Sequence, residues 1–308
     1  MLRSALVAAL AYNGAHGENQ NQTCHAGSVC PAKFSASGAG CCPLDDAVCC
    51  ANQQTCCPRG TVCVDSGRYL TTCVGGLANV SGLSVCKPGA PEPAPGTTKQ
   101  NVLVIGDSVS IGYTPYLATH LASVADVQHA PYDHVDGGAE ETAYGVQCLD
   151  YMLQSPAGVA LRPQVIMFNW GLHNGPLGNS TVPGQAGLPS VYAAQLENIT
   201  VRLKAAQPQA KLLFALTTPQ LCDPVGDGCA VTLNGQASAI MASHGIPTID
   251  PHAAIVEKCG APRPDPTNAC WGVESCFCPH CPGAGPGKGY DWLAQSVIAP
   301  AIRRLLEA

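Results

Sequence analysis

The chain has 308 residues, of which 46% are hydrophobic and 12% are charged, so it can bury a sizeable core. Its formal net charge of −6 argues against nucleic acid as the main partner, because binding to phosphates depends on a basic patch. Nineteen cysteines, eleven of them before residue 87, indicate a disulfide scaffold of an oxidising compartment rather than a cytosolic enzyme.

The first residues have the pattern of a secretory signal. Arg3 is followed by the short apolar run Ala5–Ala11, and Ala15 and Gly17 are small residues spaced for cleavage, so residues 1–17 are predicted to be a signal peptide. No later apolar segment is long enough to span a bilayer. We therefore expect a secreted or luminal glycoprotein without a membrane span. The candidate glycosylation sites are Asn21, Asn79, Asn179 and Asn198.

The segment from Cys24 to Cys73 has few aliphatic residues and contains the run GCCPLDDAVCCANQQTCCPRGTVC. A small segment without an apolar core must be cross-linked to stay folded. Adjacent cysteines do not easily bond to each other, so each pair is expected to reach both ways, as a ladder that holds stacked hairpins. Its ten cysteines allow five bridges. Cys86 lies outside this repeat and is expected to pair either with the C-terminal domain or with another chain.

The spacing of the cysteine pairs, two of which are followed by proline, resembles the granulin family. The family has a further pair between Cys30 and Cys41, where this chain has none. The resemblance implies either a binding or targeting appendage, with a protein or surface partner, or a protease-resistant spacer. Bound zinc is a weaker interpretation, because an oxidising compartment favours bridges. The pairs are Cys41/Cys42, Cys49/Cys50 and Cys56/Cys57.

Residues 87–100, KPGAPEPAPGTTKQ, are predicted to be an extended, semi-rigid linker. From residue 101 to residue 308, short apolar runs alternate with helical patterns, which predicts parallel strands joined by helices. The predicted fold class is α/β, a three-layer, doubly wound, flavodoxin-like sheet of five parallel strands, preceded by the small module of stacked hairpins. The strands are predicted at 101–106, 124–129, 164–170, 211–217 and 246–250, and the helices at 111–123, 145–153, 191–206, 233–243 and 290–308.

The tripeptide Gly106-Asp107-Ser108 ends the first of these strands. Ser108 is therefore placed at a helix N-terminus, where backbone N–H groups stabilise a developing oxyanion. The alternative is that Ser108 only caps the helix. The G-x-S-x-G elbow of α/β-hydrolases and the G-x-G-x-x-G dinucleotide motif are both absent here. A nucleophile on the first strand with a histidine before the last helix resembles the SGNH, or GDSL, hydrolases over nearly the whole second domain.

That resemblance implies an oxyanion hole. The segment NWGLHN at 169–174 stands where the family has Gly-x-Asn-Asp, so His173 takes the place of the oxyanion-hole asparagine and Asn174 that of the aspartate. Either side chain has an N–H group for the oxyanion. The family also uses the backbone N–H of a glycine before the second helix, for which Gly145 is preferred over Gly138.

The segment SCFCPHCPGAGPGKGYDWLA resembles the family's last block, which makes His280 the candidate general base. The residue three positions earlier is Phe277 and not the family's aspartate, so Glu274 or a backbone carbonyl is expected to orient the ring.

Two alternatives involve histidine in other ways. Asp250 and His252 could form an acid–base pair, although we expect Asp250 to end the fifth strand and His252 to begin a short helix. The second alternative is a zinc cluster in the loop that carries His280. Its cysteine spacings are too tight for the usual C-x₂₋₄-C pairs, so disulfide bridges that clamp this loop are favoured. Its ligands would be Cys276, Cys278, His280 and Cys281.

The sequence thus predicts a secreted serine esterase that hydrolyses a short-chain acyl or acetyl ester of a small molecule or a glycan, without a cofactor or metal. One alternative is a binding protein on an inactive hydrolase scaffold, with the granulin-like module as a co-ligand. Another is a signalling peptide released from the N-terminal module.

Overall fold

The computed structural model describes residues 24, 26–33, 35–65, 71–75, 80–92, 98–132, 138–175, 189–221, 223–262 and 288–308. The predicted signal peptide, the candidate glycosylation sites Asn21, Asn79 and Asn179, His280, Glu274 and the Cys276–Cys281 cluster lie outside these ranges. Asn198 lies within them and is exposed on a helix. In the described part of the chain, no helix is both long and apolar enough to cross a membrane.

The N-terminal module consists of short antiparallel strands in three small sheets, β1–β2, β3–β4–β8 and β5–β6–β7. The last two strands follow Cys73, so the chain continues to pair with the module beyond its last ladder cysteine. The strands are β1 Ser28–Pro31, β2 Ala39–Cys42, β3 Val48–Cys49, β4 Thr55–Cys57, β5 Val62–Asp65, β6 Thr71–Val74, β7 Val80–Ser81 and β8 Leu83–Ser84.

Disulfides replace an aliphatic core in this module, as predicted. Each adjacent pair reaches two different cysteines, because neighbouring side chains on a strand point to opposite faces. The Cys50, Cys57 and Cys63 sulfurs cluster within 4.8 Å, but all three are in disulfides and are not available as metal ligands. The five bridges are Cys24–Cys41, Cys30–Cys49, Cys42–Cys56, Cys50–Cys63 and Cys57–Cys73.

Residues 85–90, here termed the strap, join the module to the second domain and are all buried. Cys86 is bonded to Cys148, which confirms that it pairs with the C-terminal domain. The Gly89 N–H donates to the carbonyls of Tyr151 and Gln154, and an added Cβ at Gly89 would collide with the Met152 carbonyl. The beginning of the predicted linker is therefore fixed against the second domain, and is not a free spacer.

The second domain is built on five parallel strands in the order β10-β9-β11-β12-β13. Counted along the chain this order is 2-1-3-4-5, which confirms the flavodoxin-like, doubly wound sheet. β11 is apolar throughout, and β9 and β12 are apolar after their first one or two residues, because both faces of the sheet are covered. The strands are β9 Gln100–Ile105, β10 Ala125–Ala130, β11 Val165–Phe168, β12 Lys211–Ala215 and β13 Thr248–Ile249.

Helices cover both faces of the sheet and complete three layers. Leu103 and Ile105 of β9 pack towards α2, α3 and α4, whereas Val102 and Val104 pack towards α1, α5 and the C-terminal helices. This alternation follows from the two-residue period of a strand. The helices are α1 Ser108–Leu121, α2 Thr142–Met152, α3 Pro189–Ala206, α4 Pro224–Ser243, α5 Pro251–Cys259, α6 Lys288–Leu293 and, after a π-helical turn at Ala294–Ile298, α7 Ala299–Glu307.

Aspartate caps explain why several helices begin earlier than their apolar pattern predicts. Asp107, Asp223 and Asp250 each accept a hydrogen bond from a first-turn N–H group of α1, α4 and α5. The largest difference is α4, which begins nine residues before the predicted residue 233, in a stretch with two glycines and little apolar periodicity. Asp250 and His252 lie as predicted, at a strand end and in a short helix.

Candidate functional site

The candidate site lies where the strand order reverses, between β9 and β11. Ser108 follows β9, and the segment 169–174 follows β11, so both lie at the carboxyl edge of adjacent strands. In doubly wound sheets this crevice is the usual position for a ligand. The topology therefore brings together the two motifs that the sequence analysis singled out.

The turn between β9 and α1, residues 106–108, is fixed by Asp107. Its carboxylate accepts the Val109 N–H at 3.0 Å, and burial raises the pKa of this carboxyl, opposed by the nearby charge of His173 and by backbone N–H donors. Ser108 begins α1 and is partly exposed. The first-turn N–H groups of a helix have no carbonyl partner within it, so the Ser108 hydroxyl lies at the positive end of the α1 dipole.

Ser110, two residues after Ser108, has a different environment. It is buried, and its Oγ lies 2.6 Å from the Asp107 carbonyl oxygen and 2.6 Å from His129 Nε2. The Ser110 hydroxyl donates its single proton to the Asp107 carbonyl, and the other ring nitrogen of His129, Nδ1, lies 3.0 Å from the Pro131 carbonyl. Ser110 is thus held in the core of the turn, and Ser108 is the serine that faces outward.

His129 predicts a pH-dependent stability. Burial lowers its pKa to about 4, with the Lys87 charge acting in the same direction and the Pro131 hydrogen bond opposing it. A lowered pKa in the folded state contributes stability above the unfolded value, and that stability is lost as the pH falls through 4. We expect the free energy of unfolding, measured with urea, to fall by about 3 kcal/mol more between pH 7 and pH 4 for the wild type than for His129→Gln. Equal losses in the two proteins would contradict this assignment.

A narrow cleft opens beside the β9–α1 turn, at the carboxyl ends of β9, β11 and β12. Asn169 and Thr217 give it polar groups, and the Asn169 side chain is itself fixed by donating to the Ala215 carbonyl at 2.6 Å. Apolar side chains from α1, β12 and α6 form much of the remaining wall. The lining residues are Asp107, Val109, Ser110, Tyr113, Asn169, Ala215, Leu216, Thr217, Thr218, Pro251 and Leu293.

The segment after β11 is held close to its neighbours. Gly171 approaches Thr217 so closely that an added Cβ would collide with the Thr217 hydroxyl, so this position requires glycine. Asn174 is fully buried; its Oδ1 accepts the Thr142 N–H at 3.0 Å, and its Nδ2 donates to Thr142 Oγ1 at 2.8 Å. Asn174 thereby caps α2 from outside, because Glu141 makes no side-chain capping bond.

Gly145 does not lie where the sequence analysis placed it. It is inside α2, its N–H donates to the Glu141 carbonyl at 3.1 Å, and an added Cβ would lie 2.8 Å from the Trp170 ring. Its small size allows α2 to pack on Trp170, and the predicted role as an oxyanion donor is wrong. The error arose because α2 begins at Thr142, three residues before the predicted start.

Gly138 is the glycine that meets the β9–α1 turn. It has a φ of +59°, in the left-handed region that favours glycine, and an added Cβ would collide with the Gly106 carbonyl. The next N–H, that of Ala139, donates to the same carbonyl at 2.7 Å. The loop before α2 therefore packs directly on the turn that carries Ser108.

The structure also forms an acid–histidine pair that the sequence analysis missed. His252 Nε2 lies 2.9 Å from Asp227 Oδ1, and both side chains are mostly buried. Asp227 also accepts the Gln220 N–H, which connects the loop after β12 to α4 and α5. The suggested pair of Asp250 with His252 is not formed, because Asp250 caps α5. No local pattern could have shown the observed pair, whose members lie 25 residues apart.

Comparison with known proteins finds a family similar to the N-terminal module. Residues 28–73 match the family model described as Granulin. Progranulin from Rattus norvegicus and from Homo sapiens are each 39% identical over 61 residues, which is 20% and 18% of this chain respectively. The match spans about a tenth of the length of these curated relatives, 10% of each. The N-terminal module is thus similar to granulin, as its cysteine spacing predicts.

Solved structures similar to this chain include a GDSL-like lipase from Bacteroides thetaiotaomicron VPI-5482, with a TM-score of 0.45 and 11% identity over 69% of this chain and 92% of that one. A lipase/acylhydrolase from Enterococcus faecalis has a TM-score of 0.45 and 15% identity over 68% of this chain and 96% of that one. Likenesses this distant do not transfer an activity, and the fold assignment depends on the sheet order itself.

Proposed function

We propose that this chain is a secreted serine esterase of the SGNH type that hydrolyses a short-chain carboxylic ester. The observation that carries the proposal is the position of Ser108, partly exposed at the N-terminus of α1 and at the reversal of the strand order. The dipole of α1 and its first-turn N–H groups favour negative charge at this point. Buried His173, close enough to influence Asp107, brings an imidazole N–H to the same region.

In the proposed reaction the Ser108 hydroxyl gives its proton to His280 while its oxygen attacks the ester carbonyl. The negative oxygen of the tetrahedral intermediate is stabilised by the Ser108 N–H and by the ring of His173. The alcohol leaves with the proton from His280, and an acyl-enzyme remains. Water then attacks, His280 takes its proton and returns it to Ser108, and the acid is released.

His280 is proposed as the base from its place in the sequence, eight residues before α6 begins at Lys288. Three histidines in the described part of the chain are already paired with other groups: His129 with Ser110, His120 with Asp291 and His244 with Glu197. His252, which pairs with Asp227, is the rival base. We propose Glu274 or a backbone carbonyl as the group that orients the His280 ring.

The two candidate side chains for the oxyanion hole have different environments. One amide proton of Asn174 is already donated to Thr142, and both its polar atoms serve to cap α2. His173 is buried in the segment after β11, and its charge acts on the Asp107 carboxyl of the turn. We therefore propose His173 as the oxyanion donor and Asn174 as the residue that positions α2.

We propose a small acyl group because the cleft next to the turn is narrow; Asp107 and Ser110 line this cleft, whereas Ser108 lies beside it. Leu216 and Leu293 provide apolar contacts, and Asn169 and Thr217 provide a polar edge. These contacts suit an acetyl or other short chain on a small-molecule or glycan alcohol. The disulfide-bonded module is consistent with a secreted protein. Its exposed Val62, Val64 and Val74, on the β5–β6 hairpin, support a role in contacting a protein or surface partner.

Labelling with a fluorophosphonate tests this proposal directly. We expect the full-length protein to be labelled on the peptide that contains Ser108, and aryl acetate to be hydrolysed at least about tenfold faster than aryl octanoate. Boiled protein is the control for nonspecific labelling. A protein that takes no label and hydrolyses no ester would be a binding protein on an inactive hydrolase scaffold, and label on another serine would reject Ser108 as the nucleophile.

A further inference from the structure

We propose that the strap, residues 85–90, positions the catalytic site and does so through Lys87. The granulin-like module is then part of the hydrolase and not a detachable appendage. This inference rests on the proposed esterase function. The strap places Lys87, a buried cation, beside the loop before α2. That loop packs on the β9–α1 turn.

Lys87 is enclosed by the second domain. Its side chain is 6% exposed, and its ammonium lies 3.9 Å from Glu140 Oε1 and 5.7 Å from the centre of the Tyr144 ring. Its backbone N–H donates to the Tyr144 hydroxyl at 2.9 Å. A buried ammonium is costly unless opposite charge and polar groups surround it, so these contacts fix Lys87 and its partners together.

Glu140 belongs to a loop that touches the catalytic turn. It has a φ of +49°, a conformation that is strained for a non-glycine residue and persists only where neighbouring groups hold it. Ala139, beside it, donates to the Gly106 carbonyl at 2.7 Å and accepts from Trp170 Nε1 at 3.0 Å. The loop thus connects Lys87 to the ends of both β9 and β11.

A second connection runs through the end of β10. The strap's Pro88 carbonyl accepts the Tyr132 N–H at 2.7 Å, and the Tyr132 carbonyl accepts the Ala36 N–H of the granulin-like module at 3.0 Å. Next to Tyr132, the Pro131 carbonyl holds His129, which bonds Ser110 in the catalytic turn. The module and the strap therefore hold both segments that pack against this turn.

The strap cannot shift independently of α2. The Cys86–Cys148 disulfide fixes its beginning to the middle of α2, and the Gly89 N–H bonds the carbonyls at the end of that helix. The module, the strap, α2 and the loop before it are thus mechanically one unit, so loosening Lys87 is expected to reach the β9–α1 turn.

The test compares Lys87→Met, which removes the charge at similar volume, with Lys87→Arg, which keeps it, in the full-length protein. We expect Lys87→Met to lower kcat for an aryl acetate about tenfold with KM within about twofold, and to speed amide hydrogen exchange at Ala139. Lys87→Arg should recover most of the rate. Lys99→Met is the matched control, because Lys99 forms a surface ion pair with Asp126 at 3.5 Å, away from the turn.

The outcomes separate this inference from the function on which it rests. If the wild type is active and Lys87→Met keeps its kcat, the positioning role is overturned and the esterase stands. If the wild type takes no fluorophosphonate label, the esterase and the positioning role in catalysis both fail, whereas faster exchange at Ala139 in Lys87→Met would still support the structural coupling. Should Lys87→Met not fold, the double variant Lys87→Met/Glu140→Gln removes both charges; an unchanged kcat in it would overturn the positioning role.

Discussion

Replacing Ser108 by alanine is expected to lower kcat for an aryl acetate by about 10³-fold or more, with little change in KM. The hydroxyl forms the bond to the acyl group, and no other atom of the chain substitutes for it in that step. The Asp107 cap, α1 and the first-turn N–H groups remain in the variant, so the fold and the oxyanion donors are kept. Steady-state kinetics and fluorophosphonate labelling of the same preparations measure the loss.

Ser243→Ala is the matched control, since Ser243 is exposed near the end of α4 and its hydroxyl bonds only the Ile240 carbonyl of its own helix. It should hydrolyse the ester at the wild-type rate. A Ser108→Ala protein that keeps its rate within tenfold of the wild type would exclude Ser108 as the nucleophile. The activity would then have to come from another group of the chain.

The His280→Ala variant is expected to lose about 10³-fold or more in kcat as well, because an unactivated serine hydroxyl is a poor nucleophile at neutral pH. The double variant Ser108→Ala/His280→Ala should be only slightly slower than either single variant, since the two residues act as a unit. Measuring kcat for the wild type, the two single variants and the double variant shows whether the two losses in kcat add.

Two histidine variants serve as controls for this result. His244, at the end of α4, has a partly buried ring that pairs with Glu197 of α3. The variant His244→Gln removes this ring and should retain the wild-type kcat. His252→Asn removes the partner of Asp227 and tests the rival base. If kcat falls by about 10³-fold in His252→Asn and changes little in His280→Ala, the Asp227–His252 pair is the catalytic acid–base pair.

The sequence alone was sufficient for the features that depend on neighbouring residues. All five strands of the second domain were predicted near their observed positions. For β9, β11 and β12 the signal is a nearly continuous apolar run, as expected of strands buried on both faces, whereas the edge strands β10 and β13 include polar residues. Paired cysteines predicted a ladder, because adjacent side chains on a strand cannot reach the same partner. The tripeptide Gly106-Asp107-Ser108 predicted a strand-to-helix turn through its glycine and its cap.

Only the tertiary structure decided which distant residues meet. It assigned Gly145 to packing against Trp170, Gly138 to the β9–α1 turn and Asn174 to the α2 cap. It also joined Cys86 to Cys148, 62 residues away, and buried Lys87 where composition predicted an extended, semi-rigid linker. These contacts depend on the order of strands in the sheet and on which helix covers which face, and chain-local patterns carry no information about either. Ser108 is therefore a prediction of sequence, whereas the groups that hold its turn in place are a result of packing.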